Sequence, residues 1–502
     1  MGLRLSEKLL CVIAVLAAVN VAVLVTGYFI YPGYLDHGEP IVAAAAYKML
    51  SGVQVYPSFD SSNFTSNVYG PYLYLANGFM LWVFGGSVAS GKLIGLVAVV
   101  LAIISTVYAF RNTPRFWALL ASVGMIGYIL VCLPFSIWNR PDPLLLLVSA
   151  LGLLIARSEM FERRKMLGWV LVGALGGVAC SLKIYGPLFL MPIAIYLAVR
   201  DRSFFSLIIM SAAGALTALI PFALPVFSLS NYLAWFGIVA TKPTDGEMVT
   251  KALRYGIFFL LPPMFLVAQR IISLNKAGTW ELDKIFAYAI STLAGAAGCI
   301  YLASKPGAGM YYVLPFAPLI ADMIVLVCRE NAHVMPKKKH VIPSIVCGLL
   351  IAVMFVTSIP IQKRFVRALE WDRTTNIQKD LHAIMSKFED ASIHKGMGDK
   401  SQGYNNTLQK TELIFEGNPY VVDFGVMIET SKLGIPLPKL LIDRLSRCEI
   451  DMWLIPRGEQ PFEMTGYYEN TVVDKEFKEA FLKYYQKTDQ SEYFDIWECS
   501  RR

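Results

Sequence analysis

Two carboxylates three residues apart, Asp36 and Glu39 in the run Asp36-His37-Gly38-Glu39, follow closely on a long apolar segment. If a helix starts near Pro40, both lie at its N-terminus, where the dipole favours the ionised form. An ionised carboxylate held there can accept a proton from a hydroxyl or orient it. The plain alternative is a helix cap for Asp36 and a first-turn acid for Glu39. A third acid, Asp142, follows Arg140 and Pro141 at a second predicted helix entrance. Lys183 interrupts the apolar run 177–190, and Lys305 stands in Ser304-Lys305-Pro306-Gly307 ahead of Met310-Tyr311-Tyr312. Cations so placed can hold a phosphate head group; lysines at helix ends also simply snorkel to the interface.

The elements that carry these residues are membrane spans. The chain has 502 residues, 56% of them hydrophobic and 16% charged, with a mean hydropathy of +0.52. That is the composition of a polytopic membrane protein. Apolar runs near 9–31, 92–110, 116–134, 143–156, 167–182, 184–199, 204–227, 253–269, 285–303, 312–328 and 341–360 give about eleven spans. The first is longer than a signal-peptide core and lacks a small-residue cleavage site, so it reads as a retained helix.

The net charge of +8 is spread in short basic clusters between the runs, which topology explains and which argues against nucleic acid. Arg4 with Lys8, Arg111 with Arg115, Arg157 with Arg163–Lys165, Arg200 with Arg202, Arg270 with Lys276, and Arg329 with Lys337–Lys339 all fall on one side. The positive-inside rule makes that side cytoplasmic. The other face then carries 32–91, Trp138–Asp142, Lys183, 228–252, Ser304–Gly307 and everything after 360. Tyr72–Phe84 is a short apolar stretch that would upset this order as a span, so it reads as an interfacial helix.

Composition changes abruptly after Pro360, which divides the chain into a membrane domain, 1–360, and a soluble extracytoplasmic α/β domain, 361–502. Glu412–Phe415 and Asp451–Ile455 read as strands, Lys439–Arg447 and Lys475–Gln486 as helices. Six cysteines fall in apolar runs; Cys448 and Cys499 are the soluble pair and are expected to form a disulfide. Tyrosines 31, 34, 47, 56, 69, 72 and 74 crowd the first outer loop. They suit an interfacial belt and equally the stacking of sugar rings.

Taken in order and on one face, these motifs resemble the GT-C superfamily of polytopic glycosyltransferases with lipid-linked donors. That superfamily includes protein O-mannosyltransferases, the lipid A aminoarabinose transferase and family 39-like enzymes. The motifs, within roughly residues 1–360, are Asp36–Glu39, Gly52…Tyr56-Pro57, Tyr69-Gly70-Pro71-Tyr72, Arg140-Pro141-Asp142, Ser181-Leu182-Lys183, Lys305-Pro306-Gly307 and Tyr312…Pro315.

The resemblance implies transfer of a sugar from a polyprenyl-phosphate donor to a hydroxyl of a glycan, lipid or protein acceptor. The reaction would lie at the outer face of the inner (plasma) membrane, among membrane lipids and without nucleic acid. Asp36 would be the general base, a role worth about 10²–10⁴ in rate. Glu39 would position the acceptor or act as base itself, and Asp142 would order the site. Arg140, Lys183 and Lys305 would stabilise the departing phosphate, and Tyr69 and Tyr312 would contact substrate. No cofactor is expected. The second outer loop has one acid where metal-dependent oligosaccharyltransferases have Asp-x-Asp or Asp-x-Glu, which weighs against a divalent metal. The rival classes are a transporter or lipid flippase, which would place its charges at mid-membrane on repeated halves, and a non-catalytic envelope scaffold.

Overall fold

The computed structural model describes residues 5–66, 68–277, 283–305, 307–334, 341–400, 407–430, 437–466, 469 and 471–500. Pro306 and the Lys337–Lys339 run lie outside them. The chain folds into two compact units: Met1–Tyr28, Gly95–Ile220 and Pro243–Arg367 form one, and Phe29–Ile94, Pro221–Lys242 and Ala368–Arg502 the other.

The first unit is helical, and each of the eleven apolar runs contains a helix. Among the described residues, seven helices are long and apolar enough to cross a membrane, including Glu7–Ile30, Val88–Ala109, Phe204–Ala223 and Lys284–Ala303. Arg115–Val131, Pro141–Ala156 and Lys165–Cys180 are shorter apolar helices, and Met191–Asp201 follows a 3-10 turn, Gly186–Phe189. Phe204–Leu219 buries no side chain, as expected of a helix that presents its surface to lipid. It packs on Lys165–Cys180 through small residues. A Cβ on Gly173 would stand 2.2 Å from the Met210 carbonyl, and one on Gly177 would stand 2.3 Å from the Gly214 carbonyl. Only glycines allow so close an approach of two helix backbones, the usual device where no hydrophobic effect drives association.

The second unit gathers the segment after the first helix, residues 221–242 and the C-terminal region. Its sheet has the order β1-β2-β4-β3, with β1 Ile393–Lys395, β2 Met452–Pro456, β3 Tyr485–Gln490 and β4 Phe494–Cys499. β1 runs parallel to β2, and the other two pairings are antiparallel. Strand alternation sends Trp453 and Ile455 into a core with Phe462, Phe477 and Phe481, and Met452 and Leu454 into another with Ile377, Leu381 and Leu413. Both faces of β2 are therefore buried, which is why Met452-Trp453-Leu454-Ile455 is continuously apolar.

Cys448 and Cys499 are joined in a disulfide, as expected, with Cα atoms 5.9 Å apart across a separation of 51 residues. Two sequence expectations are corrected. Glu412–Phe415 is not a strand but part of the helix Lys410–Phe415: Leu413 and Ile414 are both buried, so the run covers a helical face and not alternate sides of a sheet. The helix expected over Lys475–Gln486 ends at Tyr484, because Tyr485 onward pairs with β4. Helix Pro71–Phe84 forms where an interfacial helix is expected, with Phe79, Trp82, Val83 and Phe84 exposed. Reporter fusions after Lys339 and after Arg364 are expected to report opposite sides of the membrane; a cytoplasmic C-terminal reporter would overturn the side assignment.

Candidate active site

In the second unit the acid motif opens the helix Gly38–Leu50. The Gly38 N–H donates to Asp36 Oδ1 at 2.8 Å, and the Leu35 N–H to Glu39 Oε1 at 3.1 Å. The two acids thus satisfy amides around the helix start, as the capping alternative holds, yet their surroundings differ. Glu39 is fully buried, and the charge of buried Lys92 acts on it. The Lys92 ammonium donates to the Tyr31 carbonyl at 2.6 Å and lies 5.0 Å from the centre of the Tyr31 ring. Asp36 keeps 24% of its side chain exposed, with Oδ2 3.5 Å from His37 Nδ1. One carboxylate is therefore committed to the interior, and the other has a surface.

The tyrosines of this loop are largely packing groups. The Tyr56 hydroxyl donates to the Tyr69 carbonyl at 2.6 Å, and its ring lies 6.0 Å from Tyr74 and 5.1 Å from Tyr232. Tyr69 itself is buried. The apolar bulk of these rings explains their number without appeal to a lipid interface.

A second constellation lies in the first unit. Helix Pro141–Ala156 begins with proline at its first position and carries Asp142 in its first turn, where the dipole stabilises the carboxylate. The Lys183 ammonium, in the turn after Lys165–Cys180, donates to Asp142 Oδ1 at 2.8 Å; both side chains are almost wholly buried. Aromatic rings surround the pair. Lys183 Nζ lies 4.2 Å from the centre of the Tyr312 ring and 5.4 Å from that of Tyr311. The Arg140 guanidinium lies 4.2 Å from Trp138 and donates to the Tyr311 hydroxyl at 3.2 Å. Gly95 lets the Val88–Ala109 helix pass against this loop, since a Cβ there would stand 2.3 Å from the Trp138 carbonyl. Asp142 Oδ2, Tyr185 Oη, Ser181 Oγ and Trp138 Nε1 are buried without a hydrogen-bond partner among the described residues.

The structure thus brings Arg140, Asp142, Lys183 and Tyr312 together in one unit, and Asp36, Glu39 and Tyr69 within the other. Lys305 is half-buried just beyond Lys284–Ala303, its carbonyl accepting from the Ala308 N–H at 3.0 Å. Sequence reasoning gave no role to Tyr311, Tyr185 or Lys92. Tyr311 adjoins Tyr312 and Tyr185 follows Lys183 by two residues, so an aromatic-cation spacing is visible in the sequence; nothing marks Lys92 as more than a basic residue at a span's edge. Among the described residues, no group of three or more His, Cys, Asp or Glu side chains could hold a metal ion.

No family model matches the sequence, and no curated protein does. Solved structures do resemble it. ArnT from Cupriavidus metallidurans bound to undecaprenyl phosphate superposes with a TM-score of 0.55 at 14% identity, covering 96% of this chain and 97% of that one. Its apo state gives 0.55 at 12%. The apo oligosaccharyltransferase of Archaeoglobus fulgidus gives 0.50 at 12%, covering 96% of this chain and 74% of that one. The likeness runs through the membrane helices and the C-terminal region alike, and at such identities it speaks to the fold. This chain is a multi-pass membrane protein with the fold of ArnT.

Proposed function

We propose that the protein transfers a sugar from a polyprenyl-phosphate donor to an acceptor hydroxyl on the extracytoplasmic face of the membrane. The observation that carries this reading is the Arg140–Asp142–Lys183 cluster, buried among Trp138, Tyr185, Tyr311 and Tyr312, in a chain whose fold matches ArnT over nearly its whole length. Buried cations beside polar groups with spare hydrogen-bonding capacity suit a phosphate and the hydroxyls of a sugar. ArnT itself was captured with undecaprenyl phosphate, which supports a lipid phosphate as the ligand class here.

In this reading Asp36 removes the acceptor proton as the hydroxyl attacks the anomeric carbon. The glycosidic bond to phosphate breaks, and the phosphate leaves with its charge met by Arg140, Lys183 and Lys305. The greater exposure of Asp36 favours it over Glu39 as base, and Glu39 then holds the helix start that carries it. The reaction as written balances without a metal. Turnover is therefore expected to survive EDTA, whereas loss of activity restored by Mn²⁺ or Mg²⁺ would recast Asp36 and Asp142 as metal ligands. Reconstituted protein offered a panel of radiolabelled polyprenyl-phosphate sugars tests the reading. Label should pass to a hydroxyl acceptor; movement of intact labelled lipid across the bilayer without transfer would make the protein a flippase.

A further inference from the structure

We propose that residues 410–425 of the C-terminal region form a cradle that fixes the Asp36–His37 turn, with Lys410 and Asp423 as positioning residues for Asp36. The inference rests on the reading of Asp36 as the base. All the contacts that carry it lie within the second unit.

The cradle is built around Asp423, which is almost fully buried. Its carboxylate pairs with Lys410, accepts from the Tyr420 hydroxyl at 2.7 Å, and caps the following helix by accepting from the Gly425 N–H at 2.8 Å. Burial pushes this carboxyl upward, but Lys410, Tyr420 and Gly425 together hold it below the usual range. The same strand of chain is tied to the first outer loop at the backbone: the Phe64 N–H donates to the Val421 carbonyl at 2.7 Å, and the Asp423 N–H to the Phe64 carbonyl at 2.9 Å. His394 supports it from below. Burial lowers its pKa to about 4, so the ring is neutral at pH 7. Its Nδ1 donates to the Lys395 carbonyl at 2.8 Å, which leaves Nε2 to accept from the Val421 and Val422 N–H groups at 3.5 Å.

This segment meets the acid motif directly. A Cβ on Gly425 would stand 2.7 Å from Ile41 Cδ1 and 3.1 Å from His37 Cδ2, so the backbone at 425 rests against the first turn of Gly38–Leu50. His37 lines a small cavity of about 20 Å³ together with His394, Lys395, Lys410, Tyr420 and Gly425. The charges of Asp423 and Asp36 both act on Lys410. The Asp36 carboxylate therefore has its turn packed against Gly425 and a cation of the C-terminal region in its field. A loop acid that must meet a hydroxyl within hydrogen-bond reach needs such support.

Hydrogen exchange and kinetics on the full-length protein test the cradle. Gly425→Ala forces a methyl against Ile41, Asp423 Oδ1 and His37, and overpacking of about 1–3 kcal/mol corresponds to roughly 5- to 150-fold faster exchange in peptide 35–41. The peptides around Cys448 and Cys499 should keep wild-type protection, which separates local loosening from unfolding. Adding Ile41→Val removes the carbon that the new methyl meets and should restore protection. In the transfer assay Gly425→Ala should lower kcat about tenfold with the donor KM unchanged, and Lys410→Arg should retain far more activity than Lys410→Gln. Wild-type exchange at 35–41 in Gly425→Ala would overturn the cradle. Faster exchange with undiminished kcat would keep the cradle and remove Asp36 as base.

Discussion

Asp36→Asn is expected to lower turnover by about 10² or more while binding of the lipid-phosphate donor stays nearly intact. The amide keeps the shape of the side chain, and its oxygen can still accept from the Gly38 N–H, as Asp36 Oδ1 does at 2.8 Å. What it loses is basicity. Glu39→Gln should be milder on turnover and fall mainly on stability, because its carboxylate is buried with the charge of Lys92 acting on it. Initial rates and donor titrations on purified variants separate the two. The reverse ranking would move the base to Glu39 and leave the reaction class standing. Full activity in both single variants and in the double variant would mean that the acids are helix caps and nothing more.

The second large effect belongs to the buried pair in the membrane unit. Lys183→Ala leaves Asp142 in the interior without its cation, a change that costs about 3–5 kcal/mol when a buried pair is broken from one side. Both partners are more than nine-tenths buried and 2.8 Å apart, so little water can compensate. The double change Lys183→Met with Asp142→Asn removes both charges and should recover most of the loss in thermal unfolding, while transfer stays abolished. Lys305→Ala touches a half-buried residue and should weaken donor use with the fold intact. An unshifted melting temperature in Lys183→Ala would show that the pair is not formed as described.

Much of this architecture was legible because its signals are local. Each apolar run is long and uncharged, and each contains a helix; Arg140-Pro141-Asp142 announces a helix start and provides one. The disulfide followed from the presence of a single cysteine pair in the polar sequence after Pro360. What the sequence hid is long-range. Lys183 finds Asp142 across 41 positions and Arg140 finds Tyr311 across 171, and no spacing rule reaches so far. The pairing of Phe64 with Val422 is hidden for the same reason, and with it the union of the first loop and the C-terminal region. The misread strand at Glu412–Phe415 is a different kind of error: four residues are too few to separate a period of 2 from one of 3.6.

Whether the protein breaks the glycosidic bond to a lipid phosphate is read most directly by a double-label measurement. Reconstituted protein is given a doubly labelled polyprenyl-phosphate sugar, with one label in the lipid and one in the sugar, and both labels are followed through a single turnover with a hydroxyl acceptor. Wild-type protein should release free polyprenyl phosphate in step with sugar-labelled acceptor, one for one, and Asp36→Asn should suppress both. If the two labels stay together in every donor-acceptor pair, and leave only as intact lipid on the far side of the bilayer, the protein is not a glycosyltransferase.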